Sequence, residues 1–174
     1  MDAPSPRSLL QAAERKVLIA AFHCSQLEKC LLGEGRSKDV PIPIQAHFEG
    51  VVVSVVAAVD QVAQAVNSAL CLRATPGELV EKTFSMIGDV PGVDQWYGEQ
   101  IGRDLRSIRT KIVHYSYTKD LRGVDFSIQE ATKSYPGSRD LITYSREAVV
   151  YGERLRDLIP SIKKRISRHG AAAD

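Results

Sequence analysis

The stretch RTKIVHYSY, residues 109 to 117, sets Arg109 and His114 on an otherwise apolar run. A guanidinium presents a rigid fork of donors that matches a phosphate, and an imidazole titrates near neutral pH. Side chains of these two types could work on a phosphate ester. One would stabilise charge on the phosphorus oxygens while the other moves a proton. The same pair could equally be a solvated surface, so its surroundings decide.

At about 100° per residue, a helix through this region has two sides. Ile101, Leu105, Ile108, Ile112 and Tyr115 form an apolar stripe that must face a core. Arg103, Arg106, Arg109, Thr110, Val113, His114 and Tyr117 fall opposite. A merely solvated face more often mixes Lys with Glu at four-residue spacing. Three arginines on one face instead call for acids from a neighbouring helix or subunit, or for an anion such as phosphate. Both readings stay open on residue types alone.

The elements that must position this face read as helices. Ser5-Pro6 or Ser8 can open the first, in which Leu10, Val17, Ala21, Cys24, Leu27 and Leu31 recur at helical spacing and Gly33 and Gly35 end it. A Gly/Pro-containing loop leads to a second helix, about 45 to 72, that is apolar nearly all round and therefore central. Thr75-Pro76-Gly77-Glu78 has the residues of a capping box and opens a short third helix, about 76 to 87. Asp94 can cap a fourth, which runs to about 118 and carries the Arg–His stretch. The alternation of VDFSIQ, with DLITYS beyond SYPGS, predicts a small β-hairpin. Ser145 can cap the last helix, about 146 to 168, with Val149, Leu155, Leu158, Ile162 and Ile166 inward and a kink at Pro160. The expected fold is all-α: an up-and-down bundle of four to five helices with a small β-hairpin insertion before the last helix.

Composition sets outer bounds. A chain of 174 residues, 44% hydrophobic and 25% charged, suits one globular domain spanning 1–174, with no need of disulfide staples. The net charge of +2 neither demands nor excludes an anionic partner. Cys24, Cys30 and Cys71 are odd in number and lie in apolar helical runs, which suggests buried free thiols and a cytoplasmic location. No Cys/His set has zinc spacing, so neither metal nor cofactor is expected. The N-terminus lacks the basic and apolar regions of a signal peptide. Polar residues from Glu49 to Asn67 break the apolar run of the second helix, which argues against a membrane span. No Walker loop, dinucleotide fingerprint, GxSxG elbow or HExxH motif is present.

LRSIRTKIVHYSY, near the end of a long helix, resembles the Arg-x4-6-His motif of the HEPN superfamily. FEGVVVSVVAAVDQVAQAVNSAL, with Asp60 in mid-helix, resembles an early helix of some HEPN bundles. The similarity covers roughly residues 45 to 118. Many active members carry Asn, or another strongly polar residue, right after the arginine; here Thr110 keeps a donor and an acceptor and lacks the amide. The resemblance implies a metal-independent endoribonuclease acting as a homodimer, its two motif helices facing one another. His114 would act as base or acid in attack of the ribose 2′-OH, and Arg109 would stabilise the phosphorane. Arg106, Thr110 and Tyr117 would position the phosphate or its flanking backbone, and Asp60 would support the motif. Many HEPN proteins are toxins or phage-defence effectors, which implies RNA as substrate and an antitoxin or defence-system protein as partner.

Other polar residues have plainer roles. Asp60 sits among apolar neighbours, so it should be buried and bonded to another polar side chain. His23 reads as a core or boundary histidine, while His47 and His169 show no partner. Basic residues of IKKRISRHG suit the negative end of a helix dipole. Two rivals to the ribonuclease follow. One is a non-catalytic HEPN-like module binding nucleotide, RNA or a protein; the other is a helical scaffold whose basic face docks an acidic partner.

Overall fold

The computed structural model describes residues 3–33, 42–116 and 141–170. Six helices occupy them: α1 (Pro6–Gly33), α2 (Ile42–Ala69), α3 (Leu79–Met86), α4 (Val93–Tyr97), α5 (Gln100–Ser116) and α6 (Leu141–Gly170). No strand occurs among the described residues, and the fold class is all-α.

α2 is the central element and touches α1, α3, α5 and α6. Phe48, Val51, Val52, Val55, Ala58, Val59, Val62, Ala63, Ala65 and Val66 are all buried along it. By length and composition α2 could also cross a membrane, but most of its apolar window lies inside the bundle. Val17, Ala20, Cys24 and Leu27 of α1 and Ile101, Leu105, Ile108 and Ile112 of α5 complete the core, as their spacing requires.

The expected hairpin is corrected at its second strand. Residues 124–129 lie outside the described residues, but Leu141 to Ser145 form the first turns of α6. The reason is a single buried stripe: Tyr144, Ala148, Tyr151, Leu155, Ile159, Ile162 and Ile166 are all covered at steps of three and four. Burial of that stripe outweighs the local β-preference of Ile142 and Thr143. Pro160 lies inside α6 without ending it. Ser145 is not a cap but a buried helical residue.

The expected fourth helix is two helices. α4 ends at Gly98, whose N–H donates to the Asp94 carbonyl, and α5 starts at Gln100. Arg103 stabilises the break by donating from Nη1 to the Gly98 carbonyl at 2.8 Å, and from Nη2 to Gln100 Oε1 at 2.7 Å. The four-residue box before α3 also differs. Thr75 Oγ1 donates to the Glu78 carboxylate, and Glu78 itself stands at the N-cap with no side-chain cap bond.

Acid–base pairs hold α6 against its neighbours. Arg146 meets Glu28, Arg154 grips both oxygens of Glu99, Lys163 meets Glu14, and Arg165 meets Asp89. Two bases of the C-terminal run are thus engaged by acids on other elements. Of the three cysteines, only Cys24 is buried; Cys30 is half-buried and Cys71 exposed, which corrects the expectation of three buried thiols.

Candidate functional site

α5 turns its stripe into the core and carries Arg106 and Arg109 along one flank. That flank does not face away from the bundle. Both arginines line an open pocket of about 370 Å³, together with Val56 and Asp60 of α2, Pro76 and Gly77, Val80 and Glu81 of α3, Tyr97 and Thr110. The walls come from one chain.

Arg106 is the more deeply held of the two. Its guanidinium carbon stands 5.2 Å from the ring centroid of Tyr97, within cation–π range. Tyr97 is in turn stacked on Phe84, with centroids 5.2 Å apart. Arg106 Nη1 is buried without a hydrogen-bond partner. The guanidinium also lies beside the Tyr151 hydroxyl, which is itself buried and not aligned for a good hydrogen bond. Burial pushes the Tyr151 phenol well up, and the Arg106 charge only partly offsets it. Trp96 fixes that ring by stacking on it, with centroids 4.6 Å apart, and by donating from Nε1 to the Tyr151 carbonyl at 2.9 Å.

Asp60 is half-buried on the pocket wall, and no hydrogen bond or ion pair joins it to another side chain among the described residues. The expectation of a bonded carboxylate is thereby corrected. Burial raises its pKa above the usual carboxylate range, while the charges of Arg109 and then Arg106 pull the other way. The acid therefore acts on the arginines through space. It faces them from α2 and offsets part of their mutual repulsion. Thr110 donates its hydroxyl to the Arg106 carbonyl one turn back, at 2.9 Å. That bond is internal to the helix and leaves the hydroxyl oxygen free to accept.

Of the residues singled out by sequence, Arg106, Arg109, Thr110 and Asp60 are brought together. His114 stands on α5 five residues beyond Arg109, about 7.5 Å further along the axis. The side chains of His114, Val113 and Tyr115, and Tyr117 altogether, lie outside the described residues. Sequence reasoning missed Tyr97, Glu81 and the Pro76-Gly77 wall. Tyr97 carried a signal, an aromatic ring beside Trp96 at the start of the arginine helix, but it reads as packing. Glu81 carried none, because its place in the pocket depends on how α3 packs on α2.

No group of three or more His, Cys, Asp or Glu side chains among the described residues is arranged to hold a metal ion. Comparison with protein-family models, with curated proteins and with solved structures finds no match to this chain.

Proposed function

We propose that this chain is a metal-independent endoribonuclease of the HEPN type, working as a homodimer in the cytoplasm as a toxin or phage-defence effector. One observation carries the reading. The helix with the Arg109–His114 spacing presents two arginines into a single open pocket, and neither is in an ion pair among the described residues. A phosphate diester fits that pocket, since paired guanidinium groups supply fixed forks of donors. His114 would take the proton of the ribose 2′-OH as it attacks the adjacent phosphate, and would return a proton to the leaving 5′-oxygen. Arg109 would stabilise the phosphorane oxygens, with Arg106, Thr110 and Tyr117 holding the flanking backbone. The products would end in a 2′,3′-cyclic phosphate and a 5′-OH.

The test is cleavage of RNA by purified protein in excess EDTA. RNA should be cut and DNA, which lacks the 2′-OH, spared. His114→Ala and Arg109→Ala should each abolish cutting with the far-UV circular dichroism unchanged. Cutting that persists in both variants removes the assignment.

A second reading has its own support. Asp60 and Glu81 share the pocket with the two arginines, so its formal charges balance. A neutral pocket suits a non-catalytic module that holds a nucleotide or a protein segment. Nucleotide binding without cleavage of any RNA, host RNA included, would favour it.

A further inference from the structure

His23 of α1 and His47 of α2 bring their Nδ1 atoms to 3.1 Å across the first helix pair, with ring centroids 5.4 Å apart and planes tilted by 46°. Both rings are half-buried, so solvent and ions can reach them. Gly50, three positions beyond His47, makes the approach possible. A Cβ there would stand 2.6 Å from the His23 ring, so only a residue without one lets the imidazole lie over α2. With one neutral tautomer of each kind, the two nitrogens share a proton in an N–H···N bond.

The same spacing suits a shared ion. Bonds of about 2.0–2.1 Å from two imidazoles to one cation place the nitrogens about 2.9 Å apart at a right angle and about 3.3–3.4 Å apart at the tetrahedral angle. The observed 3.1 Å lies between these values. Ring centroids 5.4 Å apart set the two nitrogens close to the line between the rings, so each ring must turn off that line to aim its lone pair at a common ion, and the proton between the nitrogens moves to an Nε2. We propose that His23 and His47 form a two-imidazole site for a divalent transition-metal ion of the Ni²⁺/Zn²⁺ class, clipping α1 to α2. No third protein ligand joins them among the described residues, so water would fill the remaining positions. Imidazole suits these ions, whereas Mg²⁺ and Ca²⁺ require oxygen donors and should not bind here.

The site is separate from the arginine pocket. His47 and Asp60 are thirteen residues apart on α2, about 20 Å along its axis. The inference therefore stands independently of the ribonuclease reading, and cleavage in EDTA reports on that reading alone.

The experiment is titration of the untagged full chain with Ni²⁺ by calorimetry, beside thermal melts with and without the ion. Ni²⁺ is the probe because imidazole holds it, while the exposed thiol of Cys71 would compete more strongly for Zn²⁺. One equivalent should bind the wild type and raise its melting temperature, since an ion bound only by the folded state stabilises that state. His23→Ala and His47→Ala should each weaken binding by about tenfold or more. Gly50→Ala keeps both imidazoles but displaces one, and should weaken binding as much. Unchanged affinity in these variants, or no binding by the wild type at about 1 mM Ni²⁺, a level at which even a site worth only ~4 kcal/mol half-fills, would reduce the pair to a hydrogen bond and overturn the proposal.

Discussion

The hydroxyl of Tyr151 on α6 rests where a β-carbon on Gly102 of α5 would stand. Two helices approach closely at that point because one contributes no side chain. Tyr151 cannot yield, since it is 1% exposed and its ring is stacked against Trp96.

Gly102→Ala should therefore destabilise the fold, even though Ala is the better helix former by about 1 kcal/mol. Overpacking of this kind costs about 1–3 kcal/mol. The melting temperature should fall by a few degrees, at about 2–4 °C per kcal/mol for a chain of this size. Tyr151→Phe removes the obstructing oxygen together with its contact to Arg106, which is not an aligned hydrogen bond. The double variant should therefore recover most of what Gly102→Ala loses. Equal losses in the single and double variants would show that some other contact opposes the new methyl group.

Asp60→Asn should stabilise the protein at neutral pH. The folded-state pKa of Asp60 is raised, mainly by burial, so the native state holds its proton more tightly than the unfolded chain does. Ionisation of Asp60 therefore costs stability as pH rises through the unfolded and then the folded pKa. Below both values the penalty is absent. The amide avoids that penalty, so Asp60→Asn should melt higher than the wild type at pH 7 and equal to it near pH 3. Thermal melts of both proteins across this range decide the matter. A variant less stable than the wild type at pH 7 would mean that attraction to Arg109 and Arg106 outweighs burial.

The two arginines of the pocket should separate by what each supports. Arg106 lies over Tyr97 and beside Tyr151, so Arg106→Ala should lose about 1 kcal/mol of stability. Arg109 makes no comparable contact among the described residues. Its charge offsets the half-buried Asp60 carboxylate, so Arg109→Ala should lose a little stability at pH 7, less than Arg106→Ala does, and none near pH 3 where Asp60 is protonated. A large loss with Arg109→Ala would assign that residue to the fold rather than to a ligand.

The sequence made some of this legible and hid the rest for physical reasons. The core stripes of α1, α2 and α5 follow from spacing, because a helix with a dry side must repeat its apolar residues every three or four positions. Residues 140–145 were misleading because β-branched and aromatic residues alternate there, while the stripe from Tyr144 to Ile166 that makes them helical shows only over several turns. The bond between His23 and His47 depends on how two antiparallel helices align across a gap of 24 residues, which neither local pattern encodes. The same holds for the pocket. Periodicity placed Arg106 and Arg109 opposite the stripe, but only the packing of α3 against α2 and α4 shows that their flank lines a pocket within one chain.

That open, single-chain pocket sharpens the question of the dimer. If the proposed ribonuclease site joins Arg109 of one chain to His114 of its partner, an inactive chain should poison an active one. Arg109→Ala/His114→Ala protein, co-expressed with the wild type so that subunits mix, tests this directly. In a composite site every mixed dimer lacks at least one member of each Arg–His pair, so cleavage should fall as the square of the wild-type fraction. If both residues of a site belong to one chain, as the single-chain walls around Arg109 permit, mixed dimers keep one intact site and cleavage falls in proportion. The proposed facing of the two motif helices leads us to expect the square dependence. A linear fall, with dimers present by sedimentation, would keep the ribonuclease and discard the shared site. A linear fall with monomers alone would discard the dimer as well.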